Sequence, residues 1–323
     1  MVIEVYPNIY MQEIPLPKNP LRAINSYIIL SKDRNLIIDS GFNTEECRNA
    51  FMEGINELGI DLNKTDLLVT HLHSDHSGLA AALNKEGARI YAGKIDGKMI
   101  NEMAGQAYWD KFEGYKKLFD LEKDNVSFDN HPGYKYCPKE PIEFISLDEG
   151  DSINIGDYYF EVVNIPGHTP GHIGLYEKNH KLFFCGDHIL HKITPNIAFW
   201  GFEQDILSVY FNSLKKVHEY DIKHLFSAHR STVANHKERI HELLNHHDAR
   251  LKEIMEIIKN DKKSVRDTAA SMHWELRYSN WEDFPNPQKW FASGEAMSHL
   301  EHLYSIGKAE RTKEDGILYY KLK

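Results

Sequence analysis

Three histidines and one aspartate fall within six residues of the stretch VTHLHSDHSG, at His71, His73, Asp75 and His76. The apolar run DLLVT leads into them and SGLAAALNKEG follows, so the group sits on a loop between a strand and a short helix. The chain has nineteen histidines in 323 residues. Chance would fill the three positions of H-x-H-x-x-H about 0.06 times in such a chain. Further ligand types occur singly, each at the end of an apparent strand: His168 in IPGHTPGH, Asp187 in FFCGDH and His229 in LFSAHR. Loops at strand ends can converge on one rim. Imidazole and carboxylate groups suit zinc or iron, and a catalytic site keeps one coordination position open for water. Three histidines with a bridging carboxylate can hold one ion, and two carboxylates with two histidines a second. Two ions roughly 3.5 to 4 Å apart can share a water and lower its pKa towards neutrality.

Charge and cysteine usage narrow the partners. A formal net charge of -10 leaves no electrostatic footprint for nucleic acid or an anionic membrane. Cys47, Cys137 and Cys185 form no C-x-x-C pair, so neither a disulfide framework nor a thiolate zinc site is expected, and a reducing cytoplasm fits. The first twenty residues hold Glu4, Glu13 and scattered prolines rather than an apolar leader, and no run is long enough to span a bilayer. A soluble cytoplasmic protein acting on a small molecule is expected.

Periodicity suggests an ordered alternation of elements. SYIILSKDRNLIIDS reads as two strands and TEECRNAFMEGINELG as a helix capped by Thr44; DLLVT and ARIYA are further strands. Residues 94–141 form a polar and aromatic insertion, either a pocket wall or surface decoration. Strands resume at EFISL, YYFEVVNI, GHIGLYE and KLFFCG; a helix near 204–217 and the strand HLFS follow. A long amphipathic helix is expected over about 234–260, with Ile240, Leu243, Leu244, His247, Leu251, Ile254, Met255 and Ile258 on its apolar face. Then come a helix in SVRDTAASM, a Trp-rich connector, a helix in GEAMSHLEHLYSIG and a hairpin turning at Asp315-Gly316.

HLHSDH, GHTPGH, GDH and SAHR, in this order after IIDSG, resemble the metallo-β-lactamase superfamily over roughly residues 20 to 232. The resemblance implies an α/β fold, an αββα sandwich over 1–235 with two divalent ions at one edge. It places His71, His73 and His168 on the first ion, Asp75, His76 and His229 on the second, and Asp187 between them. Zinc is the expected metal, with iron or manganese as alternatives. Asp39 of IIDSG would orient a ligand histidine, and Asp75 would also be the catalytic group that steers the nucleophilic water. Residues 236–323 resemble the small α+β winged-helix-like domain of a subgroup that includes endoribonucleases; such a tail can pack on the core or mediate a homodimer. Ala228 departs from the commoner glycine before His229, which bears on loop geometry rather than ligand identity.

The leading expectation is a dinuclear metal-dependent hydrolase acting through a metal-bound hydroxide on an ester, thioester, lactone or related small-molecule bond. A metal-dependent nuclease is the alternative, although residues 261–323 carry ten Lys plus Arg against ten Asp plus Glu, a balance of zero. An iron-dependent persulfide dioxygenase ranks below it. Flavin-coupled relatives tend to carry glutamate where His73 stands. A basic glutathione-binding tail like that of glyoxalase II is not apparent. His188 and His191, beside Asp187, are candidates for substrate contact, with a structural role equally weighted. His172 is expected to be a hydrogen-bonded structural residue, and His241, His246 and His247 to be partly solvated helix residues. Cys185 is expected to be a buried small hydrophobe.

Overall fold

The computed structural model describes residues 1–278 and 280–323. One sheet has seven strands in sequence order: β1 (Val2–Tyr6), β2 (Ile9–Pro15), β3 (Ala23–Ile29), β4 (Asn35–Ile38), β5 (Thr65–Val69), β6 (Arg89–Gly93) and β7 (Phe144–Leu147). Pairing is antiparallel from β1 to β4 and parallel from β4 to β7. A second sheet runs β12 (His224–Ser227), β11 (Leu182–Gly186), β10 (Ile173–Glu177), β9 (Tyr158–Asn164) and β8 (Ser152–Ile155). The strands β1, β2 and β8 add to those read from sequence. In β1 and β2 the burial alternates irregularly, which blurs the two-residue period that marks a strand.

The sheets face each other across an apolar layer in which Tyr27, Ile29, Leu36, Ile38 and Leu68 meet Phe160, Leu175, Phe184 and Phe226. Tyr27 lies edge-on to Phe184 and Phe226 and donates its hydroxyl to the Ser227 carbonyl at 2.8 Å, so it locks the sheets together at the edge that carries the site. Helices cover both outer faces. On the first lie α1 (Glu45–Glu57), α2 (Ser74–Ser77), α3 (Ala80–Lys85), α4 (Lys94–Met103), α5 (Gln106–Leu118) and α6 (Pro132–Tyr136), and on the second α7 (Ile206–His218) and α8 (His236–Ile257). As expected, the Thr44 side chain caps α1, accepting from the Cys47 N–H.

The C-terminal region continues through β13 (Lys263–Ser264), α9 (Val265–Ser271), α10 (Asn286–Ser305), β14 (Ala309–Glu314) and β15 (Ile317–Leu322). Asp315 and Gly316 turn the hairpin with φ of 50° and 90°, as a tight primed turn requires. Helix α10 starts at Asn286, inside the stretch read as a connector; Pro287 stands in its first turn, where its missing N–H costs nothing. Twelve of its twenty residues are buried. A helix buried on most sides belongs to an interior, and one continuous apolar cluster runs from Ile14 on the first sheet through Trp290, Met297 and Leu300 to Tyr320.

His247 differs from expectation: it is fully buried rather than partly solvated. Its Nδ1 lies 3.0 Å from His299 Nε2, and His299 Nδ1 lies 2.7 Å from the Glu295 carbonyl. A carbonyl only accepts, so His299 carries its proton on Nδ1 and receives one from His247. Its place on the apolar face of α8 was visible in the spacing; its partner, 52 residues away, was not.

Candidate metal centre

The C-terminal ends of β4, β5, β9, β11 and β12 open on one edge, the usual location of sites in sheets with parallel strands. Leaving β4, Asp39 adopts φ of 63°, a conformation rare for a residue with a side chain, and is buried. Its carboxylate accepts from the Thr70 N–H at 2.8 Å, from the Thr70 hydroxyl at 2.8 Å, and from His76 Nδ1 at 2.7 Å. At the end of β11, Gly186 has φ of 50°, and a Cβ there would come within 2.5 Å of His172 Nε2 and 2.7 Å of Thr70 Oγ1. Only glycine fits both the turn and the space. Ala228 is held on both sides, its N–H by the Gly186 carbonyl and its carbonyl by the Asn25 N–H.

Three imidazoles are oriented by the same device. His76 Nδ1 bonds Asp39, His168 Nδ1 bonds the Asn196 carbonyl at 2.9 Å, and His229 Nδ1 bonds the Ala23 carbonyl at 2.7 Å. Since carbonyls only accept, His168 and His229 carry their protons on Nδ1, and all three rings turn Nε2 inward. There Nε2 of each has no hydrogen-bond partner among the described residues, and neither does Asp187 Oδ1. The Asp187 carboxylate lies between them, Oδ1 at 3.6 Å from His76 and 3.5 Å from His229, and Oδ2 at 3.6 Å from His168. Asp75 Oδ2 is 3.4 Å from His229 Nε2. Two atoms each about 2.1 Å from one ion and at a tetrahedral angle stand about 3.4 Å apart. The gaps are thus too wide for direct hydrogen bonds and suit a shared cation.

Ligand-type atoms within 4.8 Å of one another form three groups: His71, His73 and His168; His71, His76 and Asp187; and Asp75, His76 and His229. The structure therefore brings together all seven residues read as ligands. Electrostatics agree with the geometry. Burial and the surrounding imidazoles hold His71 well below the usual histidine range; burial and His168 draw His73 down to about 3. Both rings are neutral, and His71 Nε2 and His73 Nδ1 face each other at 3.1 Å. Burial opposes ionisation of Asp75 and Asp187, yet the neighbouring histidines win, holding Asp75 at about 2 and Asp187 well below the carboxylate range. His76 and His229 are correspondingly raised by the carboxylates against their burial. The cluster demands positive charge, supplied by protons or by a metal ion.

His188 is fully buried against Tyr210, with ring centroids 5.3 Å apart, while His191 is half-buried; among the described residues neither nitrogen of His188 has a hydrogen-bond partner, and neither histidine belongs to a ligand group. His172 is buried but, against expectation, neither ring nitrogen has a hydrogen-bond partner among the described residues. Its ring packs 4.5 Å from that of His71, so it is a packing partner of a ligand rather than a hydrogen-bonded prop. Cys185 is buried, and burial pushes its thiol up to about 12.

Two supports escaped the sequence reading. Asp96, in the first turn of α4, accepts from the Leu72 N–H at 2.9 Å, the Gly171 N–H at 2.6 Å and the Thr169 hydroxyl at 2.5 Å. One carboxyl thus ties the loop of His71 and His73 to that of His168. From the far end of the chain, Glu295 Oε2 accepts from the Asn196 side-chain amide at 2.9 Å, and the Asn196 carbonyl holds His168. No local signal marks either residue: both act through elements remote in sequence.

Residues 19–229 match the family described as the metallo-beta-lactamase superfamily. Similar proteins include hydroxyacylglutathione hydrolase GloC of Haemophilus influenzae, 30% identical over 50% of this chain and 65% of that protein. Acyl-coenzyme A thioesterase MBLAC2 of Gallus gallus is 28% identical over 50% of this chain and 56% of its own. The chain thus spans between half and two thirds of the length of these curated relatives. A beta-lactamase domain protein from Burkholderia ambifaria has a TM-score of 0.83 at 27% identity, covering 100% of this chain and 93% of that one. A metallo-beta-lactamase family protein from Thermus thermophilus shares the fold, with a TM-score of 0.81 at 22% identity over 99% and 100%.

Proposed function

The chain belongs to the metallo-beta-lactamase superfamily, and from that premise we propose that it is a metal-dependent hydrolase of small-molecule thioesters. The observation that carries this reading is the convergence of three bare imidazole nitrogens on two ionised carboxylates at spacings suited to a shared cation. Two relatives whose names specify thioester cleavage support the choice of bond among ester, thioester and lactone. His71, His73 and His168 would hold one ion and Asp75, His76 and His229 a second, with Asp187 shared. Zinc suits this nitrogen and oxygen set.

Bound divalent ions supply a Lewis acid for the scissile carbonyl and lower the pKa of water. The protein's own groups do the rest. Asp39 fixes the ring of His76, while Asn196 and Ala23 fix His168 and His229. Asp75 orients the attacking water and accepts its proton. A new bond joins the water oxygen to the acyl carbon, the carbon–sulfur bond breaks, and the leaving thiolate takes a proton.

The burial of most of α10 weighs against the nuclease alternative, because a recognition helix needs an exposed face to enter a groove. Elemental analysis of the full chain, together with a panel of thioester, ester, lactone and phosphodiester substrates, tests the reading. About two metal equivalents and preferential thioester cleavage are expected. A folded protein that takes up no metal would overturn it.

A further inference from the structure

We propose that the aromatic cavity beside His73 is the acyl pocket of this enzyme, and that it accepts a short, uncharged aliphatic acyl group with three to four carbons beyond the carbonyl. The proposal rests on the hydrolase reading above. The cavity measures ≈ 90 Å³ and is lined on one side by His73. The adjoining Leu72 shares that side, and most of the remaining wall comes from outside the ligand loops. The 94–141 insertion supplies Trp109 and Phe112, the segment after Asn196 supplies Phe199 and Trp200, and α10 supplies Trp290 and Phe291. Trp200 is tied to the metal loops, since its indole N–H donates to the His168 carbonyl at 3.1 Å. The pocket and the candidate metal centre therefore share a wall, and a carbonyl placed at the ligands can direct its alkyl group among the rings.

Chemistry limits the occupant. Among the described residues, no Lys, Arg, Asp or Glu lines the cavity, so an ionised acyl group would lose its hydration without a partner. Its polar side chains are His73, His131, Asn196 and the phenols Tyr108 and Tyr115, which burial raises above their ordinary range and so keeps uncharged. Asn196 is committed to Glu295 and to the Phe291 carbonyl. His131 accepts the Gly133 N–H on Nδ1 at 3.1 Å, and burial draws its pKa down to about 4, so it too is neutral.

Volume limits it further. An apolar cavity of about 150 Å³ holds the six carbons of benzene, which scales to about three or four carbons in ≈ 90 Å³. Gly294 also lines the cavity, and a Cβ on it would stand 3.4 Å from Ala198 Cβ, an ordinary contact. A side chain there can fill the pocket without displacing the helix.

The test compares thioesters of one thiol, N-acetylcysteamine, carrying acetyl, butanoyl, pentanoyl, octanoyl and succinyl groups, on the zinc-loaded full chain. The value of kcat/KM is expected to rise about fourfold per methylene up to pentanoyl, to fall at octanoyl, and to be lowest for succinyl. Gly294→Val is expected to lower the pentanoyl-to-acetyl ratio at least about tenfold at unchanged metal content, and Phe291→Ala to move the optimum to longer chains. A second readout does not need turnover. Intrinsic tryptophan fluorescence should respond to pentanamide at lower concentration than to acetamide in the parent protein, with the difference lost in Gly294→Val. Hydrolysis with a flat length profile, a preference for succinyl, or an unchanged profile in metal-replete Gly294→Val would overturn the pocket. Pentanamide binding without hydrolysis of any thioester would instead overturn the hydrolase reading and leave the cavity standing.

Discussion

Strand β5 starts in one polar cluster and ends in another, and the two are built on opposite plans. At its start, Asp66 is buried and fully engaged: Arg34 reaches it through Nε and Nη2 at 3.0 and 2.8 Å, and Arg89 through Nε and Nη2, both at 2.8 Å. Arg34 also donates to the carbonyls of Asn63 and Thr65. Every strong group there has a protein partner. At its end, Asp39 binds Thr70 and His76 as firmly, but the outward-facing atoms of the cluster converge without pairing. Buried polar atoms are normally satisfied. Polarity that closes on itself is scaffolding; polarity that stops short, at cation-sized gaps, defines a binding site.

Substitutions can break this contrast. Asp187→Ala removes the carboxylate shared by His76, His168 and His229; a loss of about a thousandfold or more in kcat/KM is expected, with loss of metal by elemental analysis. Retained metal at parental stoichiometry would refute the shared role. Asp39→Asn keeps the shape but weakens the hold on His76, and the expected cost is about 10- to 100-fold in metal affinity, read by competition with a chelator. Asp96→Asn places an amide hydrogen opposite three donors; about a tenfold loss in kcat/KM is expected, while Asp96→Ala should lose more. Asp66→Ala should do the reverse: urea unfolding is expected to show a loss of about 1 to 3 kcal/mol, with metal content and turnover per folded molecule unchanged.

Glu295 supplies an intermediate case. Burial pushes its carboxyl up to about 7, against the opposing pulls of Arg250, 3.7 Å away, and Asn196. The native carboxyl therefore keeps its proton to about pH 7, whereas an unfolded one releases it near the ordinary 4.5. The native state binds more protons across that window, so stability falls as pH rises from about 4.5 to about 7. Glu295→Gln lacks this fall. The difference between the two proteins in unfolding free energy should shift in favour of the variant by on the order of 1 to 3 kcal/mol across the window. A pH-independent difference would mean that Arg250 keeps the carboxylate ionised.

The residues that converge on the rim were legible because each carries a short local signal, the spacing within HLHSDH and the strand ends before His168, Asp187 and His229. The αββα layering followed from the family resemblance, while the residues themselves marked most of its strands as short apolar runs. Asp96 and Glu295 were not legible. A lone carboxylate in an ordinary helix has no spacing to betray it, and its partners lie up to 99 residues away. His247 and His172 were misjudged because exposure and pairing are tertiary properties. The start of α10 was obscured by Pro285 and Pro287, although a proline in a first helical turn is itself a start signal.

Helix α10 also gives the site a schedule. At about 5 to 20 residues per second, its last turn at Ser305 is synthesised roughly 10 to 50 s after His71. During that interval the imidazole-bearing loops emerge at the ends of β5, β9 and β12, on both sheets, before α10 adds Trp290 and Phe291 to the aromatic wall. On the proposed reading, the candidate ligands of the nascent chain would be open to hydrated ions before the last helix closes its side of the cavity.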